Sequence, residues 1–381
     1  MRILRSVLSC VAAFFFSGAM ISGLMLKAKR NDPEAVKIPI DEKLFCQKIS
    51  SPAPEWMIQN IRKDLEPFLK TRITRNMLDE LFQGERISKY KLIRFTINAG
   101  KISIALRSEL LDKRAFRHLL AVMERLGSLV PLPDVDFVLS LQDGFDSSGD
   151  FPSCPCFCFS KTEGLAPFVL IPDFKALTGY PTLQKEIIKG SRAYPWEKKK
   201  PLAFWRGTTS GGYLTKENWG DLPRLQLALL SLKHPKQVDA RVTGVEQADP
   251  EVFKIVQGQG LLGRKIRQKD HLNYKYLIDV DGNSCTFERY FWTLLSNSVV
   301  FKQITNNRQW YYGALEPYRH YIPVKKDLSD LLEKISWAND HDDEVKAIAD
   351  QGTEFVKNHL SIESNFLYLY TLIKEYALNQ G

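Results

Sequence analysis

The sequence predicts an α/β protein of two domains behind an N-terminal membrane-spanning helix, and three observations predict it. The stretch His271 to Phe301 passes from an aromatic, β-branched run (Tyr274 to Val280) into a polar turn at Asp281-Gly282-Asn283. Apolar residues at helical spacing follow (Phe287, Phe291, Leu294, Leu295), then a second short apolar strand from Ser298. Strand, turn, helix, strand is one unit of a parallel α/β sheet. The 381 residues suffice for two domains at about 150 residues each. Residues 8–26 carry no charge and are long enough to cross a bilayer.

Taken in order, Arg2 and Arg5 precede the uncharged run, and Lys27, Lys29 and Arg30 follow it. Its length and poor cleavage-site residues favour an uncleaved anchor over a removed signal, so residues 1–27 are read as anchor or signal. Bases on both flanks leave the orientation open. Residues 28–42, with Pro33 and Pro39, read as a linker. The first domain, 43–193, opens with helical apolar patches over 55–83. Lys91 to Leu106 reads as a hairpin turning at Asn98-Ala99-Gly100. Ser108 to Leu126 reads as an amphipathic helix with Ser108 as N-cap. Asp136 to Leu141 is a buried strand running into Gln142-Asp143-Gly144, so Asp143 stands just past a strand's carboxyl end, where a carboxylate can face a cleft. Pro155 to Lys161 is another short strand. Tyr180 to Lys200, with Pro181 and Pro195, reads as the passage between domains.

The second domain, 194–360, starts with the strand Leu202 to Trp205, which ends in Arg206-Gly207-Thr208. Guanidinium, hydroxyl and backbone donors at one strand tip suit diphosphate recognition. Leu222 to Leu232 is helical, with Arg224 in its first turn. Strands follow at Val238 to Val242, Lys275 to Val280, Ser298 to Phe301 and His320 to Pro323. In such a sheet ligands bind at the strands' carboxyl ends, and the polar turn at 281–283 leads to Arg289 in the next helix, a setting for an anion. Helices at 328–337 and 343–358 complete the domain, and a last one spans 361–378 within the segment 361–381.

The charge of +9 favours anionic partners without choosing among phosphates, nucleotides and acidic lipid. A hydrophobic content of 44% excludes long disorder. The six cysteines suit neither a disulfide scaffold nor zinc. Cys154, Cys156 and Cys158 alternate along a strand and read as packing. No histidine pair has metal spacing.

Several collinear strings resemble glycosyltransferase family 90, which includes protein O-glucosyltransferases, lipopolysaccharide-modifying glycosyltransferases and capsule-associated proteins. They are PDVDFVLSLQD (133–143), PCFCFSK (155–161), YPWEKKKPLAFWRGTTSG (194–211) and LLSLKHPKQVDA (229–240). YKYLIDVDGN (274–283) continues them, with Arg289 beyond, followed by YRHYIPVKKDLSDLLEKISWAND (318–340). The resemblance implies a GT-B-like architecture, two Rossmann-like domains facing a cleft, and an inverting transferase. The donor would be a UDP-sugar, glucose- or xylose-like, and the acceptor a hydroxyl of a glycan, glycolipid, lipopolysaccharide or protein. It implies Asp143 as the general base and Arg206, Gly207, Thr208, Arg224 and Arg289 as UDP-sugar contacts. Thr286 would substitute for the serine that protein O-glucosyltransferases carry two residues before the helix arginine, where this chain has Phe287. No metal, no other cofactor and no nucleic acid are expected. The disulfide cysteines of secreted members are not evident, which points to a bacterial inner-membrane enzyme with a cytoplasmic catalytic domain; in a eukaryote it would sit in a secretory-pathway membrane. The alternative is a non-catalytic carbohydrate- or membrane-surface-binding protein on the same fold. Asp279-Val280-Asp281 invites a metal-dependent GT-A reading, which is not favoured because Asp279 lies inside a buried strand.

Overall fold

The structure is a computed structural model, and it describes residues 36–83, 85–106, 113–146, 149, 151 and 154–381. The uncharged run at 8–26 and the Ser108 cap therefore lie outside the described residues. Among the described residues, no helix is long and apolar enough to cross a membrane.

Four helices lead in: α1 (Glu42–Ile49), α2 (Glu55–Leu65), α3 (Arg75–Leu81) and α4 (Arg86–Tyr90). The first sheet takes its strands from β1 (Leu92–Asn98), β2 (Lys101–Ala105), β3 (Val135–Ser140), β4 (Cys156–Cys158) and β6 (Phe168–Leu170), in the order β2-β1-β3-β4-β6. Between them come α5 (Lys113–Leu129) and the short β5 (Lys161–Thr162). Asn98 pairs with Lys101, so Ala99 (φ 48°) and Gly100 (φ 74°) form a two-residue turn in which both residues are left-handed.

That turn corrects the expectation of a Rossmann-like first sheet. β1 runs antiparallel to both β2 and β3, and only β3, β4 and β6 are parallel. A two-residue link can join only antiparallel neighbours, because a parallel crossover needs about a dozen residues or more. The stretch read as the passage between domains, Tyr180 to Lys200, is largely helical. After α6 (Phe174–Leu177), Pro181 occupies the first position of a 13-residue helix, α7 (Pro181–Ala193), where its missing N–H costs nothing.

The second sheet is wholly parallel. Its strands are β7 (Lys200–Thr208), β8 (Val238–Gly244), β9 (Tyr274–Asp279), β10 (Val299–Gln303) and β12 (Ile322–Val324), in the order β12-β10-β9-β7-β8. α8 (Pro223–Lys233), α9 (Pro250–Gly258), α10 (Gln268–His271) and α11 (Glu288–Leu295) intervene, with the two-residue β11 (Asn307–Arg308) beyond β10. α12 (Leu331–Asp340), α13 (Asp342–His359) and α14 (Ile362–Leu378) follow. Both faces of this sheet are covered. Ala203, Trp205, Tyr276, Ile278, Val299 and Phe301 join one core, while Phe204, Leu277 and Val300 between them join the other. The chain starts in the interior of the sheet at β7, steps out to β8 and returns past β7 to β9. The strand order therefore reverses between β7 and β9, and the carboxyl ends there open a crevice.

α14 leaves the second sheet and packs beside α1, α2, α6 and β3. Gln380 accepts from the Asp136 amide (2.9 Å) and donates to its carbonyl (2.6 Å), and Ile73 donates to the Asn379 carbonyl (2.8 Å). The first unit is thus built from both ends of the described chain.

One buried ion pair fastens α2 to the first sheet. Lys161 Nζ lies 2.7 Å from Asp64 Oδ1 and 2.5 Å from the Phe168 carbonyl, and Asp64 Oδ2 accepts from Leu170 N (2.8 Å). Both residues are buried. Lys161→Met leaves the Asp64 carboxylate in the core with a single partner, and should destabilise the protein by about 3–5 kcal/mol in urea titration. Cys154, Cys156 and Cys158 are all buried, and burial raises each thiol, Cys154 to about 12, so they serve as packing.

Candidate functional site

At the crevice between β7 and β9 lies a cavity of 510 Å³. Its wall combines Arg206, Gly207 and Thr208 from the end of β7, Thr243 from the end of β8, and Arg224 from the first turn of α8. The segment 265–268, His271 of α10, and Arg289 and Trp292 of α11 complete the lining. Five of the seven residues picked from the sequence therefore meet here. The lining holds the cations Arg206, Arg224, Lys265, Arg267 and Arg289, and no carboxylate.

The three arginines are not equivalent. Arg206 is held from behind: Nη1 donates to the carbonyls of Trp205 (2.8 Å) and Asp239 (2.9 Å), and Nη2 pairs with the Asp239 carboxylate (2.8 Å). Arg224 is buried and bonds mainly to main chain. Nε donates to Asp281 O (3.0 Å), Nη2 to Val280 O (3.1 Å), and Nη1 to Thr208 O (3.1 Å) and Ser210 Oγ (2.7 Å). Burial, and then the charge of Arg289, pulls it down to about 10. Arg289 donates to the Arg206 carbonyl (2.5 Å), and burial lowers it too. Among the described residues neither Arg224 nor Arg289 forms an ion pair, so one buried and one half-buried positive charge share a cavity lined by no carboxylate.

The turn 280–287 shapes the site on both sides. A side chain at Gly282 would meet Arg224 Nη2 at 2.7 Å, so only glycine lets the guanidinium lie along the turn. Phe287 enters α11 at φ 44°, ψ −111°, a strained conformation for a bulky residue and worth about 1–3 kcal/mol; it sets the start of the helix that carries Arg289. On the far side, Ser284 Oγ contacts Ser160 Oγ, which donates to the Asp143 carbonyl (3.0 Å).

Asp143 is not in the arginine cavity. It is exposed, between Gln142 and Gly144, which line a neighbouring opening of 280 Å³ with Lys89, Asp146, Asn283 and Ser284. The turn 281–284 thus stands between the Asp143 loop and Arg224. Thr286 does not reach the cavity either. Its hydroxyl donates to Asp279 Oδ1 (2.6 Å), which makes it a partner of the strand carboxylate.

The Asp279/Asp281 pair already holds a cation. Lys302 Nζ lies 2.9 Å from Asp279 Oδ2 and 2.7 Å from Asp281 Oδ1, and the two carboxylates hold it firmly protonated despite burial. Thr305 (2.6 Å) and Asn307 (3.1 Å) complete Asp281. The sequence reading had no means of seeing Lys302. Nor does it single out the wall at 265–271, although Arg264, Lys265, Arg267 and Lys269 crowd into six residues there, and it gives His271 no role beyond opening the 271–301 stretch.

His271 is buried, and burial is the main cause that lowers its pKa to about 4, with the Arg289 and Arg206 charges adding to it. The unfolded chain titrates near 6.5. Above that pH the ring is neutral in both states. Below it only the unfolded chain takes up the proton, so stability should fall as pH drops from about 6.5 to 4, by about 3 kcal/mol in total. Denaturant titrations across that range should show the slope in the native protein and its flattening in His271→Phe.

Comparison with known proteins identifies the family. The profile described as glycosyl transferase family 90 matches residues 50–380. Protein O-glucosyltransferase 2 of Danio rerio is 32% identical over 83% of this chain and 61% of its own length. Protein O-glucosyltransferase 1 of Homo sapiens is 29% identical over 67% and 64% respectively. The chain thus spans less than two thirds of these relatives. A solved glycosyltransferase from Rickettsia africae ESF-5 overlays with a TM-score of 0.34 at 13% identity, over 59% of this chain and 64% of that one, too slight a likeness to argue from.

Proposed function

This chain belongs to glycosyl transferase family 90, and from that premise we propose that it is an inverting transferase moving a glucose- or xylose-like sugar from a UDP-sugar to a hydroxyl of a glycan, glycolipid or protein. One observation carries the donor half: buried Arg224 and half-buried Arg289 stand at the strand-order reversal, and among the described residues neither has a carboxylate within ion-pair distance. Uncompensated buried charge is costly, and a diphosphate supplies the missing negative charge at the place where α/β sheets bind ligands.

The proposed chemistry assigns each group a step. Asp143, at the neighbouring opening, takes the proton of the acceptor hydroxyl. That oxygen attacks the anomeric carbon from the face opposite the diphosphate, and the bond from that carbon to the phosphate oxygen breaks. Negative charge then grows on the leaving UDP, and Arg224 and Arg289, already desolvated and fixed, stabilise it. Arg206, Gly207 and Thr208 line the floor. A metal is not required for this charge balance, and the Asp279/Asp281 pair is committed to Lys302. The uncharged run at 8–26 supports a place at a membrane.

A panel of UDP-sugars read by nucleotide release tests the proposal. Release should appear with one or two of them, depend on an added hydroxyl acceptor and survive EDTA. UDP at a hundred times its Kd should add about 2.7 kcal/mol of stability. A protein that neither releases UDP nor is stabilised by it is not the enzyme described.

A further inference from the structure

Two residues of the arginine cavity each leave a buried polar atom without a partner: Arg206 at Nε and His271 at Nε2. Buried polar groups are paired in about nine cases of ten or more, so each exception asks for a reason. Arg206 Nε–H is a donor. The state of His271 follows from its other nitrogen. Nδ1 lies 3.0 Å from the Arg267 carbonyl, which can only accept, so the proton is on Nδ1 and Nε2 presents a lone pair. The ring is 4% exposed and wedged edge-on against Phe204 (centroids 4.9 Å apart) and Trp292 (5.2 Å), so it keeps this orientation. The Arg206 guanidinium lies over the same Phe204 ring at 4.3 Å.

A cavity built for anions alone has no use for a neutral acceptor in its wall. A diphosphate offers only acceptor oxygens and leaves Nε2 unsatisfied. The rest of a nucleotide can satisfy it, because a nucleoside carries N–H and O–H groups. Uracil presents an imide N–H flanked by two carbonyl oxygens, a donor beside an acceptor, which complements His271 Nε2 and Arg206 Nε–H. Cytosine carries a lone pair at the same ring nitrogen and would face Nε2 with a second acceptor.

We propose that His271 reads the nucleobase of the donor, its Nε2 accepting the imide N–H of a uracil ring while Arg206 Nε–H donates to an adjacent carbonyl oxygen. The proposal rests on the nucleotide-sugar reading above and makes this wall the element that selects uridine over cytidine nucleotides.

Calorimetric titration of native protein, His271→Phe and His271→Gln with UDP, CDP and inorganic pyrophosphate tests it. Phenylalanine keeps the contacts to Phe204 and Trp292 without the lone pair, and glutamine restores an acceptor. The native protein should prefer UDP over CDP by about ten- to a hundredfold, the range for a buried polar group left unpaired. His271→Phe should weaken UDP by that factor, leave pyrophosphate within about twofold and abolish the preference, with glutamine recovering part of it. Equal losses for UDP and CDP with pyrophosphate unchanged would assign His271 to the ribose and overturn the base assignment. Equal losses for UDP and pyrophosphate, or an unchanged UDP preference, would overturn it as well while the donor reading stands. Native protein that binds neither UDP nor pyrophosphate would remove both.

Discussion

Asp143→Asn should lower the transfer rate by about 10²–10⁴ while leaving the Kd for UDP within about twofold. Asparagine has the shape of aspartate but cannot take a proton at this pH, so only the step that deprotonates the acceptor is lost. The structure supplies the second half of the expectation. Asp143 does not line the arginine cavity, and among the described residues its carboxylate makes no hydrogen bond or ion pair. Its place depends instead on its own carbonyl, held by Ser160. The substitution should therefore change folding stability by less than about 0.5 kcal/mol, as exposed substitutions without partners do. Rates from nucleotide release and affinities from calorimetry separate the two quantities. A variant that transfers normally removes Asp143 from the role of base.

Arg289→Met should weaken UDP binding by about ten- to a hundredfold and raise the stability of the unliganded protein. The first follows from losing a desolvated charge-assisted hydrogen bond, worth about 1.5–3 kcal/mol. The second follows from what Arg289 lacks. It is a half-buried cation with one main-chain acceptor and no ion-pair partner among the described residues, and it also depresses its neighbour Arg224. Methionine fills the space of the aliphatic stem and removes the unpaired charge, a replacement that is often neutral or stabilising. Affinity and stability should move in opposite directions in one variant. A fall in both would mean that Arg289 is holding the fold, and an unchanged affinity would take it out of the donor site.

The strands of the second sheet were legible because both of its faces are covered. Tyr274 to Val280 is unbroken by surface alternation, so it reads as a strand without tertiary knowledge. The arginines were legible only as isolated positions. Arg206 and Arg289 touch across 83 residues of chain, and no spacing rule spans that; the likeness to a family put them together. One element went unread, and one expectation failed. α7 was hidden by Pro181 and Gly190, which look like loop punctuation, although proline fits the first turn and Gly190 makes room for Leu272. The first sheet was expected to be Rossmann-like because the family resemblance implied two such domains, although the hairpin at Lys91 to Leu106 that makes its edge antiparallel was itself legible. The remaining gaps are tertiary. Thr286 spends its hydroxyl on Asp279 and Lys302 fills the aspartate pair. His271 reveals itself only when its two nitrogens are followed to their partners or lack of them.

The return of α14 to the first sheet also sets a schedule. Asp136 meets Gln380, 244 residues further on. At about 5–20 residues per second of synthesis, the early strands wait on the order of ten to fifty seconds for their closing helix. In that interval the second sheet, whose strands are all local to 200–324, can assemble on its own. The half of the protein made first is therefore the half that finishes last, and its unclosed apolar face is the surface a chaperone would meet on the nascent chain.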